Sequence, residues 1–150
     1  MKKIGSCHCG SIEIKSNYAP MMINQCNCAS CRKLNNSLSV TGIYEEDEIE
    51  VTGHLEKYTY NGGSGGSIEL FFCPKCSTKA YYTVEVIQGL AIIPIGTLDD
   101  SKKHEPDIEI FTNEKLPWLS DNGCISERFE EAAVMERIEK VLLSLSDREL

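Results

Sequence analysis

The sequence has no long hydrophobic run and no concentration of positive charge, and each absence excludes a class of protein. No stretch approaches the roughly 18 consecutive apolar residues that a transmembrane helix needs. The basic residues Lys2 and Lys3 are not followed by the apolar segment of a secretory signal. The formal net charge is −8, whereas nucleic-acid binding usually needs a basic face. We therefore expect a cytoplasmic protein without membrane or nucleic-acid partners.

The chain is long enough for one domain with a core, and its pattern of apolar residues predicts a mainly β domain. It has 150 residues, of which 41% are hydrophobic and 25% charged, as in ordinary globular proteins. Short runs rich in Ile, Val, Tyr and Phe alternate with turn residues. Strands are expected at 12–15, 38–44, 56–60, 68–72, 80–86, 90–95 and 108–111. The run Gly62-Gly63-Ser64-Gly65-Gly66 predicts a hairpin loop or, alternatively, a flap that faces a ligand.

Only the end of the sequence has the periodicity of a long helix. From about Glu127 to Leu145, apolar residues recur at spacings of four, three and four, and Ser126 is the expected N-cap. These apolar positions are Val134, Ile138, Val141 and Leu145. The helix is expected to pack on the sheet, with a homodimer contact as the alternative. We therefore divide the chain into a β domain, residues 1–125, and a C-terminal helical extension, residues 126–150, packed on the same domain.

The cysteines carry the strongest functional signal, because seven of the eight fall into short clusters. The clusters are Cys7 and Cys9, then Cys26, Cys28 and Cys31, then Cys73 and Cys76, with Cys124 standing alone. In an intracellular chain, where thiols stay reduced, clustered cysteines more often hold metal than form disulfides. The sequence therefore predicts a zinc protein.

The outer two clusters together have the donors of one closed zinc site. Cys73 and Cys76 have the Cys-x-x-Cys spacing that brings two thiolates to one tetrahedral ion, and Pro74 pre-sets the turn. Cys7 and Cys9 lie two residues apart, so on an extended strand their side chains point the same way. Four thiolates close the coordination shell, which predicts a structural zinc that contributes directly to folding.

The middle cluster has three cysteines, and three protein ligands with an open fourth position are typical of catalytic zinc. We therefore predict that Cys26, Cys28 and Cys31 hold a second, reactive zinc, at which an external thiol would be deprotonated. Arg32 and Lys33 follow directly and are predicted to offset the negative charge of the thiolate cluster or to take the carboxylate of an anionic thiol substrate. The alternative for these two residues is that they are solvated surface charges.

Four alternatives to this metal assignment stay open. They are a disulfide framework, a redox pair at Cys73 and Cys76, iron in place of zinc, and two closed structural sites. In the last case His8, His54 or Cys124 would complete the second site.

Five motifs occur in a fixed order along the chain. They are Gly5-Ser6-Cys7-His8-Cys9-Gly10, Cys26-Asn27-Cys28-Ala29-Ser30-Cys31-Arg32-Lys33, Phe71-Phe72-Cys73-Pro74-Lys75-Cys76, Gly96-Thr97-Leu98-Asp99-Asp100, and 110–119 with its Pro117-Trp118 ending. Each motif alone is modest, but the five together extend from about Ile4 to Leu119 and are specific. In this order they resemble the glutathione-dependent formaldehyde-activating enzyme family, which includes centromere-protein-V-like proteins.

The resemblance implies a fold, two metal sites and a reaction. Proteins of this family have a β-tent fold of several small coiled antiparallel sheets, stabilised by zinc. The implied ligands are Cys7, Cys9, Cys73 and Cys76 for a structural zinc, and Cys26, Cys28 and Cys31 for a second zinc that the glutathione thiol reaches. The implied reaction joins glutathione to formaldehyde, gives S-hydroxymethylglutathione and is classed with the carbon–sulfur lyases. We therefore expect two zinc ions per chain and a small thiol such as glutathione as partner.

Two features depart from the family pattern. Ser77 follows the second knuckle cysteine where the family often has a glycine with positive φ, and the C-terminal helix is an addition to the family core. The resemblance also leaves the proton donor open, because Asp99 or Asp100 could protonate the new alkoxide or serve only a turn.

Two alternatives to the implied reaction stay open. The first is a non-catalytic zinc-binding module that recognises a protein and has no pocket beside the middle zinc. The second is the same chemistry on another thiol or aldehyde.

Overall fold

The structure is a computed structural model that describes residues 1–121 and 123–148. In that part of the chain the strands are β1 (Lys2–Ser6), β2 (Glu13–Ser16), β3 (Met22–Cys26), β4 (Ser39–Glu45), β5 (Ile49–Thr52), β6 (Glu56–Asn61), β7 (Ser67–Phe72), β8 (Lys79–Val84), β9 (Ile87–Pro94), β10 (Ile108–Ile110) and β11 (Glu127–Arg128). The helices are α1 (Ala29–Asn35) and α2 (Val134–Arg148). The predicted mainly β fold with a C-terminal helix is confirmed. None of the described helices is long and apolar enough to cross a membrane.

The strands form two sheets. Three strands make the smaller sheet in the order β1-β2-β5, and eight make the larger one in the order β11-β10-β3-β4-β9-β8-β7-β6. All pairings are antiparallel except those of β10, which runs parallel to both β3 and β11. Because parallel neighbours end at the same edge of a sheet, β3 and β10 deliver Cys26 and Ile110 side by side.

The C-terminal helix begins later than the periodicity predicted. Residues 127–128 form strand β11, so the predicted start at Glu127 and the N-cap at Ser126 are wrong. The cause is the free edge of β10: the backbone N–H and the hydroxyl of Ser126 both donate to the Asp107 carbonyl, each at 3.0 Å. These long-range bonds hold the segment extended until Ala133, whose φ of 45° turns the chain into the helix.

Helix α2 packs on the larger sheet through the apolar face that the sequence predicted. Val141 is buried in a core cluster with Met22, Ile43 and Ile108, and Leu145 packs against the same cluster. Burying one such side chain contributes about 2 kcal/mol. At the far end of the helix, Arg148 donates hydrogen bonds to the Glu48 carboxylate and the Ala19 carbonyl.

Two predictions from the sequence, the domain boundary and a dimer contact, are not decided by the fold. The division of the chain at residue 125 stays a prediction, as does a homodimer contact through α2. The helix does present Met135, Leu142 and Leu143 as exposed apolar side chains.

Candidate metal centres and the adjoining cleft

The first cysteine group joins the two sheets. Its members are Cys7, Cys9, Cys73 and Cys76, whose Sγ atoms all lie within 4.8 Å of one another. The Sγ atom of Cys9 is 3.6 Å from that of Cys7 and 3.8 Å from that of Cys73. A tetrahedral ion with Zn–S bonds of about 2.3 Å places its sulfurs about 3.8 Å apart. The sulfur spacing therefore fits one zinc ion.

A tight turn after β7 positions the knuckle cysteines. The Ser77 N–H donates to the Cys73 carbonyl at 2.8 Å, and the Cys73 N–H donates to the Thr78 carbonyl at 2.9 Å. Ser77 has a φ of 61°, so the turn keeps the left-handed conformation that the family glycine favours. A non-glycine residue pays about 1 kcal/mol for this conformation. The departure at Ser77 therefore leaves the turn in place.

The second cysteine group lies where β3 meets α1. Cys26 ends β3, Cys28 is the N-cap of α1 and Cys31 lies in its first turn. The three Sγ atoms lie within 4.8 Å of one another. The Cys31 backbone N–H donates to the Cys28 Sγ at 3.3 Å. This N-cap bond fixes the spacing between the Cys28 and Cys31 thiols. The unpaired N–H groups of the first helical turn also favour the thiolate form of Cys28.

The charges of the second group call for a cation. Hydrogen bonds from Cys26 and Cys31 lower the pKa of Cys28, whereas the contacts with the other two thiols, followed by burial, raise the pKa of Cys31. The three thiols thus oppose one another's ionisation, because one thiolate disfavours a second beside it. A divalent ion would allow all three to be thiolates at once, and thiolate donors suit zinc. Both groups thus have a donor set that fits zinc.

The three other candidate ligands lie in neither cysteine group. Among the described residues, the metal-compatible clusters contain neither His8 nor His54 nor Cys124. His54 lies 3.4 Å from the Glu56 carboxylate on an exposed surface. The geometry therefore gives no support to a second site closed by one of these residues.

An open cleft adjoins the second cysteine group. Its volume is about 130 Å³, it opens to solvent, and all three cysteines line it. Its other walls are mostly apolar, with Phe111 and Ile92 among them, and Tyr60 and Tyr82 add two phenol groups. Burial raises the pKa of both tyrosines, so their hydroxyls remain protonated hydrogen-bond donors at neutral pH.

The glycine loop forms one wall of this cleft. Gly62, Gly63 and Gly66 are among the lining residues, and the Gly62 N–H closes the loop on the Gly66 carbonyl at 2.9 Å. A Cβ atom added at Gly63 would lie 3.1 Å from Phe111 Cζ and 3.4 Å from Cys28 Cβ. The loop connects β6 to β7, so the hairpin interpretation is confirmed; the loop also lines the cleft, and a role as a flap over a ligand stays a prediction.

Arg32 and Lys33 lie outside the cleft. The Arg32 guanidinium donates to the Glu114 carbonyl at 2.8 Å, and Lys33 is exposed on α1. Neither residue lines the cleft. Successive residues on a helix point about 100° apart, so a neighbour of Cys31 in sequence need not share its direction. Their predicted contact with a substrate carboxylate stays a prediction that this geometry does not favour.

The Asp99-Asp100 pair also lies away from the cleft lining. The Asp99 N–H donates to the Ile4 carbonyl at 2.9 Å, and the Asp100 carboxylate lies 2.9 Å from the His104 ring. These contacts favour the turn over the proton donor.

Sequence reasoning missed the cation that does line the cleft. Arg137 of α2 is the single arginine of the described lining, which has no Asp, Glu or Lys. Its signal in the sequence is its position on the helical face of Val134 and Val141, three residues after the first and four before the second. That face is the one that packs inward.

A buried carboxylate supports the strand ends that carry the second cysteine group. Glu109 of β10 is 0% exposed and accepts hydrogen bonds from the side chains of Gln25 at 2.9 Å and Asn27 at 3.0 Å. Lys115 and Arg128 lie 2.9 and 3.2 Å from its oxygens. Burial alone would raise the pKa of Glu109, but the hydrogen bonds from Lys115, Asn27 and Gln25 outweigh it and lower the pKa.

We expect Glu109→Gln to destabilise the fold by about 1–3 kcal/mol at neutral pH, because Lys115 and Arg128 lose an anionic acceptor and one acceptor oxygen becomes an NH2 group that faces other donors. A carboxyl whose pKa is lowered by folding stabilises above its unfolded pKa of about 4.3, and the contribution is lost as the pH falls through the folded value. The difference between variant and wild type should therefore shrink in acid. Denaturant unfolding at several pH values measures this difference in stability.

Glu50→Gln, which removes an exposed partner of Lys15, is the control, with an expected effect below about 1 kcal/mol. An equal effect of both substitutions would contradict the role of Glu109.

Comparison with known proteins decides the family. The family model described as glutathione-dependent formaldehyde-activating enzyme matches residues 2–114. The chain belongs to this family. As a member of the glutathione-dependent formaldehyde-activating family, the chain has both cysteine groups within the matched segment. Helix α2, which contains Arg137, lies beyond that segment.

A solved structure shares the fold. It is the crystal structure of a Rhodobacter sphaeroides protein, a structural-genomics target, with a TM-score of 0.50 and 19% sequence identity. The match covers 68% of this chain and 95% of that one. At this identity the similarity speaks for the fold alone.

Proposed function

We propose that this chain is a zinc-dependent enzyme of the carbon–sulfur lyase type, which adds glutathione or another small thiol to formaldehyde to give the S-hydroxymethyl adduct. The observation that carries the proposal is the contrast between the two cysteine groups. Four cysteines form one group, and three form the other, which faces an open cleft. A closed shell suits a structural ion, and an incomplete shell beside a cleft suits a reactive one.

The proposed ligands are those that the sequence indicates. Cys7, Cys9, Cys73 and Cys76 would hold the structural zinc, and Cys26, Cys28 and Cys31 the second zinc. When bound, the second zinc supplies a positive charge that favours the thiolate form of an entering thiol. With both sites filled, the chain carries two zinc ions.

The remaining work falls to the walls of the cleft. Apolar side chains such as Phe111 would exclude water and hold thiol and aldehyde together, which replaces a chance encounter by an oriented one. The S–C bond forms as the carbonyl oxygen takes up a proton. Tyr60 and Tyr82 offer protonated hydroxyls in the cleft to hydrogen-bond that oxygen, and the proton released when the thiol ionises balances the one that the oxygen takes up.

The rival function is a non-catalytic zinc-binding module. A module of that kind would have no pocket beside the middle zinc. The cleft at Cys26, Cys28 and Cys31 supports the enzyme over this rival. The same chemistry on another thiol or aldehyde is equally compatible with the cleft.

Zinc content and sulfur coordination test the proposal. We expect about two zinc ions per purified chain, with an average sulfur coordination below four that rises towards four when glutathione or another small thiol is added. Metal analysis and X-ray absorption at the zinc edge measure both quantities. Full sulfur coordination beforehand, with no change on addition of any thiol, would favour the non-catalytic module.

A further inference from the structure

The C-terminal helix contributes a face to the cleft. Val134, Arg137 and Val141 are its lining residues, and all three lie beyond the segment that the family model matches. The two valines extend the apolar wall. Arg137 is different in kind, because the described lining contains no Asp, Glu or Lys. The cleft therefore has one fixed positive charge, and the part of the chain outside the family core supplies it.

The guanidinium of Arg137 is held in place from two sides. Its Nε donates to the Ala132 carbonyl at 2.8 Å, just before the helix begins. Its Nη2 lies 3.5 Å from the Ser64 hydroxyl in the glycine loop, at the outer limit of a hydrogen bond. Among residues 1–121 and 123–148, no carboxylate forms an ion pair with it. The side chain is thus oriented, and no described carboxylate pairs with it directly, although Glu136, the preceding residue of the helix, lies within electrostatic reach.

A half-buried, oriented guanidinium without an acidic partner is suited to one kind of ligand. Its planar fork matches the two oxygens of a carboxylate, and such charge-assisted bonds are strong where water is partly excluded. Burial lowers the pKa of Arg137, whereas the thiols of Cys26 and Cys31 and the carboxylate of Glu136 raise it, so the charge lies within electrostatic reach of the cysteine group as well as of its helix neighbour. An arginine remains charged under either influence.

We propose that Arg137 binds the carboxylate of the thiol substrate while the substrate sulfur lies at Cys26, Cys28 and Cys31, so that the C-terminal helix selects anionic thiols. This inference rests on the proposed thiol chemistry and deepens it. It assigns to Arg137 the contact that the sequence predicted for Arg32 and Lys33. Because the described lining has no Asp or Glu to meet an ammonium group, the preferred ligand is a thiol with a carboxylate at the guanidinium end and no amine there.

The rival role for Arg137 is to offset the negative charge of the cysteine group itself. Three thiolates around one divalent ion leave a net negative charge, and a nearby cation would stabilise that ion regardless of the ligand. The two roles predict different selectivity. A carboxylate contact affects only thiols that carry a carboxylate, whereas charge compensation affects zinc retention and the binding of every thiol alike.

Matched thiols separate these roles. The probes are mercaptoalkanoates from mercaptoacetate to mercaptohexanoate, each paired with the mercaptoalcohol of the same chain length, with glutathione and an aminoalkanethiol in parallel. Zinc-loaded wild type, Arg137→Gln, Arg137→Lys and Lys140→Gln are titrated with each probe by calorimetry. Lys140 lies on the same helix but pairs with Asp107 and Glu127 outside the cleft, so its variant controls for the loss of a helix charge.

We expect wild type to bind the best mercaptoalkanoate about 10–100-fold more tightly than its alcohol. Arg137→Gln should lose that preference and bind the alcohol within about twofold of wild type, since only the charged contact is removed. Arg137→Lys should retain part of the preference, and Lys140→Gln all of it. The aminoalkanethiol should bind no better than the alcohol. Circular dichroism and zinc content confirm that each variant is folded and loaded.

Three results would overturn the inference. The first is equal binding of carboxylates and alcohols by wild type, which would leave the thiol site standing and remove only its selectivity. The second is an equal loss of all thiols in Arg137→Gln, which would assign Arg137 to charge compensation. The third is a failure of wild type to bind any thiol, which would reject the proposed thiol chemistry together with this inference.

Discussion

Replacing Cys73 by serine is expected to abolish the cooperative thermal transition of the domain. Cys73 is 0% exposed, and its sulfur belongs to the group that ties the end of β7 to the segment after β1. A structural zinc contributes about 10–16 kcal/mol in small zinc domains, whereas a whole domain is stable by about 5–15 kcal/mol. Losing one of four thiolates therefore removes a contribution as large as the entire stability.

Thermal melting followed by circular dichroism, with metal analysis on the same sample, measures this effect. Cys124→Ser is the matched control, because Cys124 belongs to neither cysteine group and its replacement should shift the melting temperature by only a few degrees. A Cys73→Ser protein that melts like wild type with about one zinc fewer would contradict a structural role for this group.

The sequence predicts most strands of the fold, and its main omission has a physical cause. Strand β3 has all five residues buried, including Asn24 and Gln25, whose polarity conceals a core strand. The Gln25 amide is satisfied by Glu109, which lies 84 residues away. Periodicity detects a strand with one wet face, but it cannot detect a polar residue whose partner comes from a distant strand.

The grouping of the cysteines was predictable and the cleft was not. Cysteine spacing is a local property, so both groups follow from the sequence alone. The place of Arg137 depends instead on where α2 lies, which is set by the packing of Val141 and the pairing of β11 with β10. Arg32 illustrates the converse, because it follows Cys31 directly in sequence but donates to the Glu114 carbonyl outside the cleft lining.

Replacing Cys28 by serine is expected to give a folded protein that carries about one zinc fewer and binds no thiol. Cys28 is the N-cap of α1, where its Sγ accepts the Cys31 N–H. Serine is among the preferred N-cap residues, so the variant should keep the start of the helix. It removes the thiolate, however, and two remaining cysteines cannot hold the ion as three do.

The Cys28→Ala variant separates the two roles of this side chain. It should lose the same zinc as Cys28→Ser and, in addition, about 1 kcal/mol of stability, because alanine cannot cap the helix. Metal analysis, calorimetric titration with glutathione and mercaptoalkanoates, and thermal melting together measure the outcome.

If Cys28→Ser loses its fold as completely as Cys73→Ser, the second group is structural and an open thiol site is wrong. If both Cys28 variants stay folded but still retain two zinc ions and bind thiols, the ligand assignment itself fails. The contrast between one cysteine that holds the fold and another that holds only the reactive ion is therefore what the proposed chemistry requires.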